Sequence, residues 1–301
     1  MKLALAYVHQ HQSYLGGLLR RAAKRLGIEV VTIGPKNGSW IGNAPIEDGW
    51  EPDIECGHVG LPVESLGHFD VLINVDQGDG FYLTSTRVPI AHCFTEGNSG
   101  EYERGVKSGA AAMWSCMPLK DAGKRIPGLL YLQWGYDSQL TWLTDCSYSH
   151  SSRAIDFTLH GSWSERRQAY VDAIASRGLR VDAGPPLSRA EWGQTLRDAK
   201  ITLCDGDESY LTGRIVDAMA SGCLVLAKPS PVMDMIAPRG YVAITPLPDG
   251  RIVPENVADV VMEYLPWRKR LPITEQAQQC VAHLSYDNQL LRILGSVGVR
   301  P

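Results

Sequence analysis

The run Asp207-Glu208-Ser209-Tyr210-Leu211-Thr212-Gly213-Arg214-Ile215-Val216-Asp217-Ala218-Met219-Ala220-Ser221-Gly222-Cys223-Leu224-Val225-Leu226 orders the reading of the whole chain. It opens as a polar loop, continues as a short helix from Thr212 to Ala220, turns at Ser221-Gly222 and enters an apolar strand at Cys223. Loop, helix and buried strand in that order make one step of a parallel α/β sheet. A helix that starts at Thr212 and Gly213 leaves backbone N–H groups without intrahelical partners there. Those groups and the helix dipole favour an anion. Arg214 adds a rigid fork matched to phosphate oxygens. Asp217, about one turn further on, is a carboxylate suited to accept hydrogen bonds from a ribose diol.

The same alternation of apolar runs and amphipathic segments extends along nearly all of the 301 residues. In the first half it predicts strands at Lys2–Val8, Glu29–Ile33, Asp70–Val75, Val88–Cys93, Ala110–Cys116 and Leu129–Gln133, with helices at Ser13–Leu26 and Pro118–Lys124. The segment Gly34–Leu66, rich in Gly, Pro and Asp, reads as a long loop with one short helix. After a Ser-, Tyr- and His-rich linker at Ser147–Arg153, strands follow at Ala154–His160, Leu179–Ala183, Lys200–Asp205, Cys223–Ala227 and Tyr241–Ile244. Helices are predicted at Ser164–Arg177, Arg189–Asp198, Thr212–Ala220 and Glu255–Tyr264, and one long helix from Thr274 to Leu294. The expected fold class is therefore α/β, with two Rossmann-like domains: 1–146, 147–270, and a C-terminal helix at 271–301 packing towards the first domain. No internal repeat or low-complexity tract interrupts the pattern.

Composition bounds the rest. The length fits two domains of about 150 residues each. Hydrophobic content of 44% and charged content of 21% are those of an ordinary globular protein. No apolar run approaches the roughly 20 residues that span a bilayer. Cys56, Cys93, Cys116, Cys146, Cys204, Cys223 and Cys280 are odd in number and scattered, as free thiols are in a cytoplasmic protein. The net charge of −4 gives no global attraction to nucleic acid, although Arg20, Arg21, Lys24 and Arg25 crowd the first helix and Arg268, Lys269 and Arg270 cluster near the end.

The run from Asp207 resembles the donor-binding segment of GT-B glycosyltransferases, in the spore-maturation-type or group 1 branch. There a Glu-Ala-Met-Ala-x-Gly element is usually preceded, eight positions earlier, by a Glu. Here Asp217 replaces the later Glu, and Ser209 stands where the earlier one would be, with Glu208 one step out of register. Leu159-His160-Gly161-Ser162-Trp163-Ser164-Glu165-Arg166-Arg167 resembles the first strand and turn of such donor domains. Asp198-Ala199-Lys200-Ile201-Thr202-Leu203 recurs in the same branch. The likeness covers 150–260 well and the first half loosely, through Trp134-Gly135-Tyr136-Asp137. It implies a GT-B architecture with two domains facing a cleft, acceptor in the first and nucleotide-sugar in the second.

On that resemblance Gly161, Ser162, Arg166, Tyr210, Thr212, Gly213, Arg214 and Asp217 are the donor-binding candidates, with a nucleoside-diphosphate sugar as co-substrate and no other cofactor. Acceptor-side candidates follow strands of the first half: His9 to Gln12, Asp76-Gln77-Gly78-Asp79, and His92 with Glu96. Of these His92, Glu96 and Asp79 are the catalytic candidates, as base or as acceptor-orienting groups. No metal site is expected, although Asp205-Gly206-Asp207 has Asp-x-Asp spacing beside the donor loop. The acceptor stays open. A hydroxymethylated base in DNA is one alternative, prompted by the basic first helix. A nucleotide-sugar epimerase and a non-catalytic nucleotide-sugar-binding protein are the others.

Overall fold

The computed structural model describes residues 1–9, 14–36, 51–76, 78–95, 99–116, 129–132, 134–141, 152–205, 212–229 and 231–301. The chain divides into two compact units. One comprises Met1–Ile41, Ile46–Trp134 and Tyr286–Pro301, the other Gly42–Pro45 and Gly135–Ser285.

In the first unit the described strands are β1 (Lys2–Ala6), β2 (Glu29–Gly34), β3 (Ile54–Glu55), β4 (Val71–Asp76), β5 (Ile90–Phe94), β6 (Ala112–Ser115) and β7 (Leu129–Tyr131). They form one parallel sheet in the order β3-β2-β1-β4-β5-β6-β7. Successive side chains point to opposite faces, so Leu3 and Leu5 enter one core and Ala4 and Ala6 the other. Both faces are covered, which is why the strands read as continuous apolar runs rather than alternating ones. Helix α1 (Tyr14–Arg25) sets Leu15, Leu18, Leu19 and Ala22 on the first face. It lies so close to Tyr7 that a Cβ on Gly16 would stand 2.5 Å from the ring. The last helix of the chain, Tyr286–Ser296, adds Leu290, Ile293 and Leu294 to the same core.

The second unit repeats the scheme with β8 (Ile155–His160), β9 (Val181–Gly184), β10 (Ala199–Cys204), β11 (Leu224–Ala227) and β12 (Val242–Ala243), ordered β12-β11-β10-β8-β9 and again parallel. The strands are connected through α3 (Glu165–Ala175), α4 (Arg189–Asp198), α5 (Gly213–Ala220) and α6 (Pro231–Ile236). After β12 come α7 (Pro254–Tyr264) and α8 (Trp267–Val281). Tyr170 and Ile174 of α3 and Val257 and Val261 of α7 pack on Phe157, Leu159, Ile201 and Leu203 of the sheet. Two parallel sheets, each layered with helices, make two Rossmann-like domains.

Three sequence expectations are corrected. The run Thr274–Leu294 is not one helix: α8 ends at Val281, a 3-10 turn follows, and Ser285 is extended (φ −56°, ψ 146°) before the final helix, here α9. The helix α2 (Ser99–Lys107) stands where none was expected, because Ser-Gly-Glu-Tyr-Glu-Arg-Gly-Val-Lys carries two glycines and little apolar signal. The short α6 was likewise not anticipated. The expected helix Pro118–Lys124 lies outside the described residues. Among the described residues Cys56, Cys93, Cys116, Cys204, Cys223 and Cys280 are free thiols, and burial pushes Cys223 up to about 12. No described helix is long and apolar enough to cross a membrane.

One buried cation braces the second unit. The Arg153 guanidinium, 4% exposed, donates to Leu196 O at 3.0 Å, to Ala199 O, and to Ser221 O at 2.6 Å. It thereby serves carbonyls at the ends of α4 and α5. Replacing it with Met keeps the stem but strips these carbonyls of their donor. Arg153→Met should lower unfolding free energy by about 2–4 kcal/mol, measured by urea titration at pH 7, with the native circular dichroism spectrum retained.

Candidate active site

Ligands of open parallel sheets bind at the C-terminal ends of the strands. In the second unit this edge begins with Gly161, directly after β8, at φ +136°, a conformation side chains other than glycine's rarely adopt. Space demands glycine as well. A Cβ here would lie 2.5 Å from Arg214 Nη2 and 3.1 Å from Arg167 Nη1. Two guanidinium groups from different helices therefore meet over this one residue.

Arg167 is the more fixed of them. Its backbone N–H donates to the side chain of Ser164, which caps α3. Its Nη1 donates to Ser162 O at 2.7 Å, and its Nη2 to Asp205 Oδ1 at 3.0 Å. Arg166 Nη2 lies 2.9 Å from the other oxygen, Asp205 Oδ2, while its own side chain is 54% exposed. Asp205 ends up between two arginines with almost no solvent contact. Burial works against its ionisation, but the bond from Arg167 and the charges of Arg167 and Arg166 hold its carboxyl below the usual range.

Thr212 and Gly213 form the start of α5, as the sequence predicts. Thr212 has extended backbone and makes no side-chain cap, and its Oγ1 is buried without a hydrogen-bond partner. The N-terminal turn of α5 and the Arg214 guanidinium beside Gly161 thus belong to the same short element. Tyr210 lies outside the described residues. Arg166, Arg167 and Arg214 thus gather at this edge, with Asp205 paired to the first two.

Asp217 is placed differently from the exposed acceptor that its position in the motif implies. It is fully buried; Oδ2 takes a bond from Arg189 Nη1 at 3.0 Å and Oδ1 faces Thr141 Oγ1 at 3.5 Å. Burial raises its pKa, the Arg189 charge opposes that rise and Asp137 adds to it.

In the first unit His92 is also fully buried, in the middle of β5. Its Nε2 stands 3.8 Å from Asp76 Oδ2, and its Nδ1 is 3.5 Å from Ser108 Oγ. Asp76, equally buried at the end of β4, accepts from Arg104 Nε at 2.5 Å and from Gly78 N at 3.0 Å. Its burial is outweighed by His92 and Arg104, which hold the carboxyl below its ordinary range. Asp79 is exposed and accepts from Phe81 N at 3.1 Å, a turn-stabilising bond. Glu96 lies outside the described residues. His9 is buried and stacked on Tyr7, ring centroids 4.1 Å apart.

Arg167, Asp205, Arg189 and Arg104 were not singled out as site residues from sequence. Arg167 was detectable from Ser164, which caps a helix three residues earlier and so fixes its position on the first turn. Asp205 was visible only as half of an Asp-x-Asp spacing. Among the described residues no group of three or more His, Cys, Asp or Glu side chains is gathered as a metal site.

Residues 143–294 match the family model described as glycosyl transferase-like. The chain belongs to that family. Solved structures similar to this glycosyltransferase include Anabaena Alr3699/HepE in complex with UDP and glucose, 13% identical, TM-score 0.62, covering 98% of this chain and 100% of that one. An α-glucosyltransferase in complex with UDP aligns with 12% identity and TM-score 0.59, covering 97% and 99%. WaaG, a glycosyltransferase involved in lipopolysaccharide biosynthesis, aligns with 11% identity and TM-score 0.58 over 98% and 99%. At such identities the likeness is one of fold, and the fold is GT-B. No curated protein sequence matches the chain significantly.

The carboxylates fix a pH response. Asp76 and Asp205 have folded pKa values below their unfolded ones, so their stabilisation is present above the unfolded carboxylate pKa, about 4, and is lost as pH falls through the folded value. Denaturant midpoints of this glycosyltransferase should therefore drop between pH 6 and pH 3. Asp205→Asn should lower the pH 6 midpoint and shrink that drop. An unchanged drop in the variant would remove Asp205 from the acid response.

Proposed function

We propose that this glycosyltransferase moves a hexosyl group from a nucleoside-diphosphate sugar to an acceptor hydroxyl, with the diphosphate held in the second unit. The observation that carries the reading is the meeting of Arg214 and Arg167 over Gly161, at the strand ends and at the start of α5. As the bond between sugar and phosphate breaks, the leaving diphosphate gains negative charge. The arginine forks and the helix N-terminus are aimed at where that charge develops. Arg166 and Arg214 contact the phosphates; Arg167 is committed to Asp205 and the Ser162 carbonyl and holds the turn. UDP-glucose is the first donor to try, since the Anabaena protein was solved with UDP and glucose.

The acceptor falls to the first unit in this reading. Asp79, exposed at a strand end, and Glu96 are the groups offered as acceptor-orienting residue or base. His92 is not, because its ring is enclosed and no acceptor hydroxyl reaches it without rearrangement. A DNA acceptor is not proposed either: Arg20 is paired with Asp53 and Arg25 with Asp287, so the basic face that prompted it is partly neutralised.

Arg214→Ala should weaken UDP-glucose binding by about 1.5–3 kcal/mol, roughly ten- to a hundredfold in Kd by calorimetry, with the native circular dichroism spectrum retained. Unchanged affinity in a folded Arg214→Ala protein would overturn the diphosphate assignment.

A further inference from the structure

We propose that Arg104 is an acceptor-binding residue, its two terminal guanidinium nitrogens donating to neighbouring hydroxyl oxygens of an uncharged sugar that serves as acceptor. The assignment rests on the reading above that gives the acceptor to the first unit, and it names the class of molecule taken there. Arg104 lies in the second turn of α2, and long helical side chains lean back towards the helix N-terminus. Its guanidinium accordingly reaches the end of β4, where Nε donates to Asp76 Oδ2 at 2.5 Å. That bond uses one of the five N–H groups of the fork. The other four, on Nη1 and Nη2, meet no acceptor among the described residues, and neither nitrogen is buried. The side chain as a whole is 23% exposed.

Asp76 holds the arginine in place. It is 0% exposed, and its other oxygen accepts from Gly78 N at 3.0 Å, so the anchor is tied to the turn that follows β4. Compensating this buried carboxylate takes one point of positive charge, which a lysine would supply. A planar fork with its far edge in water is more than compensation uses. The surrounding charges then select the ligand. The bond to Asp76 and the charges of Asp76, Glu101 and Asp79 outweigh burial and hold the Arg104 pKa above the usual arginine value. Three acids around one cation oppose a phosphate or carboxylate on the ligand. An uncharged diol meets no such opposition: its oxygens accept from Nη1 and Nη2, and its hydrogens suit a carboxylate such as that of Asp79.

The experiment is a saturation-transfer NMR titration in the presence of UDP, with methyl glucoside, methyl galactoside, methyl mannoside and glucose 6-phosphate as probes. It compares the wild-type protein with Arg104→Lys, which keeps the charge against Asp76 but lacks the fork. UDP affinity is measured separately by calorimetry. At least one methyl glycoside is expected to bind the wild type, and more tightly than glucose 6-phosphate. Arg104→Lys should raise the Kd of that glycoside about fivefold or more, the loss of one net hydrogen bond, and leave UDP affinity unchanged. The double variant Asp76→Asn/Arg104→Gln, which removes both charges of the pair together, should weaken the glycoside likewise and covers the case of a lysine variant that does not fold. A merely structural Arg104 gives the opposite result, since the lysine restores the charge and the glycoside binds as to wild type; that outcome overturns the assignment. Tighter binding of glucose 6-phosphate than of every methyl glycoside also overturns it, as does no glycoside binding by a wild-type protein that binds UDP. If UDP itself does not bind the wild-type protein, the donor reading fails and the acceptor assignment falls with it.

Discussion

A buried carboxylate at the end of β10 makes the arginine-rich edge of the second unit possible. Three guanidinium groups close together repel one another, and without a counter-charge they would splay into solvent. Asp205 takes one bond from Arg167 and one close approach from Arg166, and being shielded from water it interacts with them more strongly than an exposed carboxylate would. Arg167 also holds the backbone, through the Ser162 carbonyl. The turn at Gly161 is thereby fixed beneath the arginines. Glycine there is a consequence of the same crowding, since the space a Cβ would fill is taken by Arg214 and Arg167.

The first unit uses a related device with a different result. Asp76 is also buried at a strand end and also faces cations, Arg104 and the His92 ring. Yet here the carboxylate reaches the following loop, accepting from Gly78 N, and the histidine is sealed under α2. What this network shapes is the loop that carries Asp79, not a cationic surface. The two strand-end clusters thus differ in which charge they leave outward, arginines in one and an aspartate in the other.

Much of the fold was legible because burial on both faces of a parallel sheet leaves a strong signal. β1, β8 and β10 are runs of apolar residues bounded by polar turns, and their positions follow within one or two residues. Failures had local causes. Helix α2 is polar and contains two glycines, so it lacks the periodic apolar stripe that marks a helix. The break at Ser285 is a single extended residue between two amphipathic helices whose patterns run on without interruption. At the strand-end edge, the start of α5 at Thr212 and Gly213 was legible because a helix start is written in a few adjacent residues.

The environment of Asp217 was not legible, because its partners lie far away in sequence: Arg189 is 28 residues earlier and Thr141 76 residues earlier. A helical carboxylate one turn from an anion-binding N-terminus carries the same local pattern whether it points to solvent or inward. Side-chain length separates the two outcomes. Asp has one methylene less than the Glu usual at this position, so its carboxylate stays close to the α5 backbone, where the turn at Thr141 can close over it. The charge cannot remain there alone, because an uncompensated carboxylate in such a place costs several kcal/mol. Arg189 supplies the compensation. An arginine at the first position of the neighbouring helix is the partner that lets the substitution persist without an unpaired charge in the core.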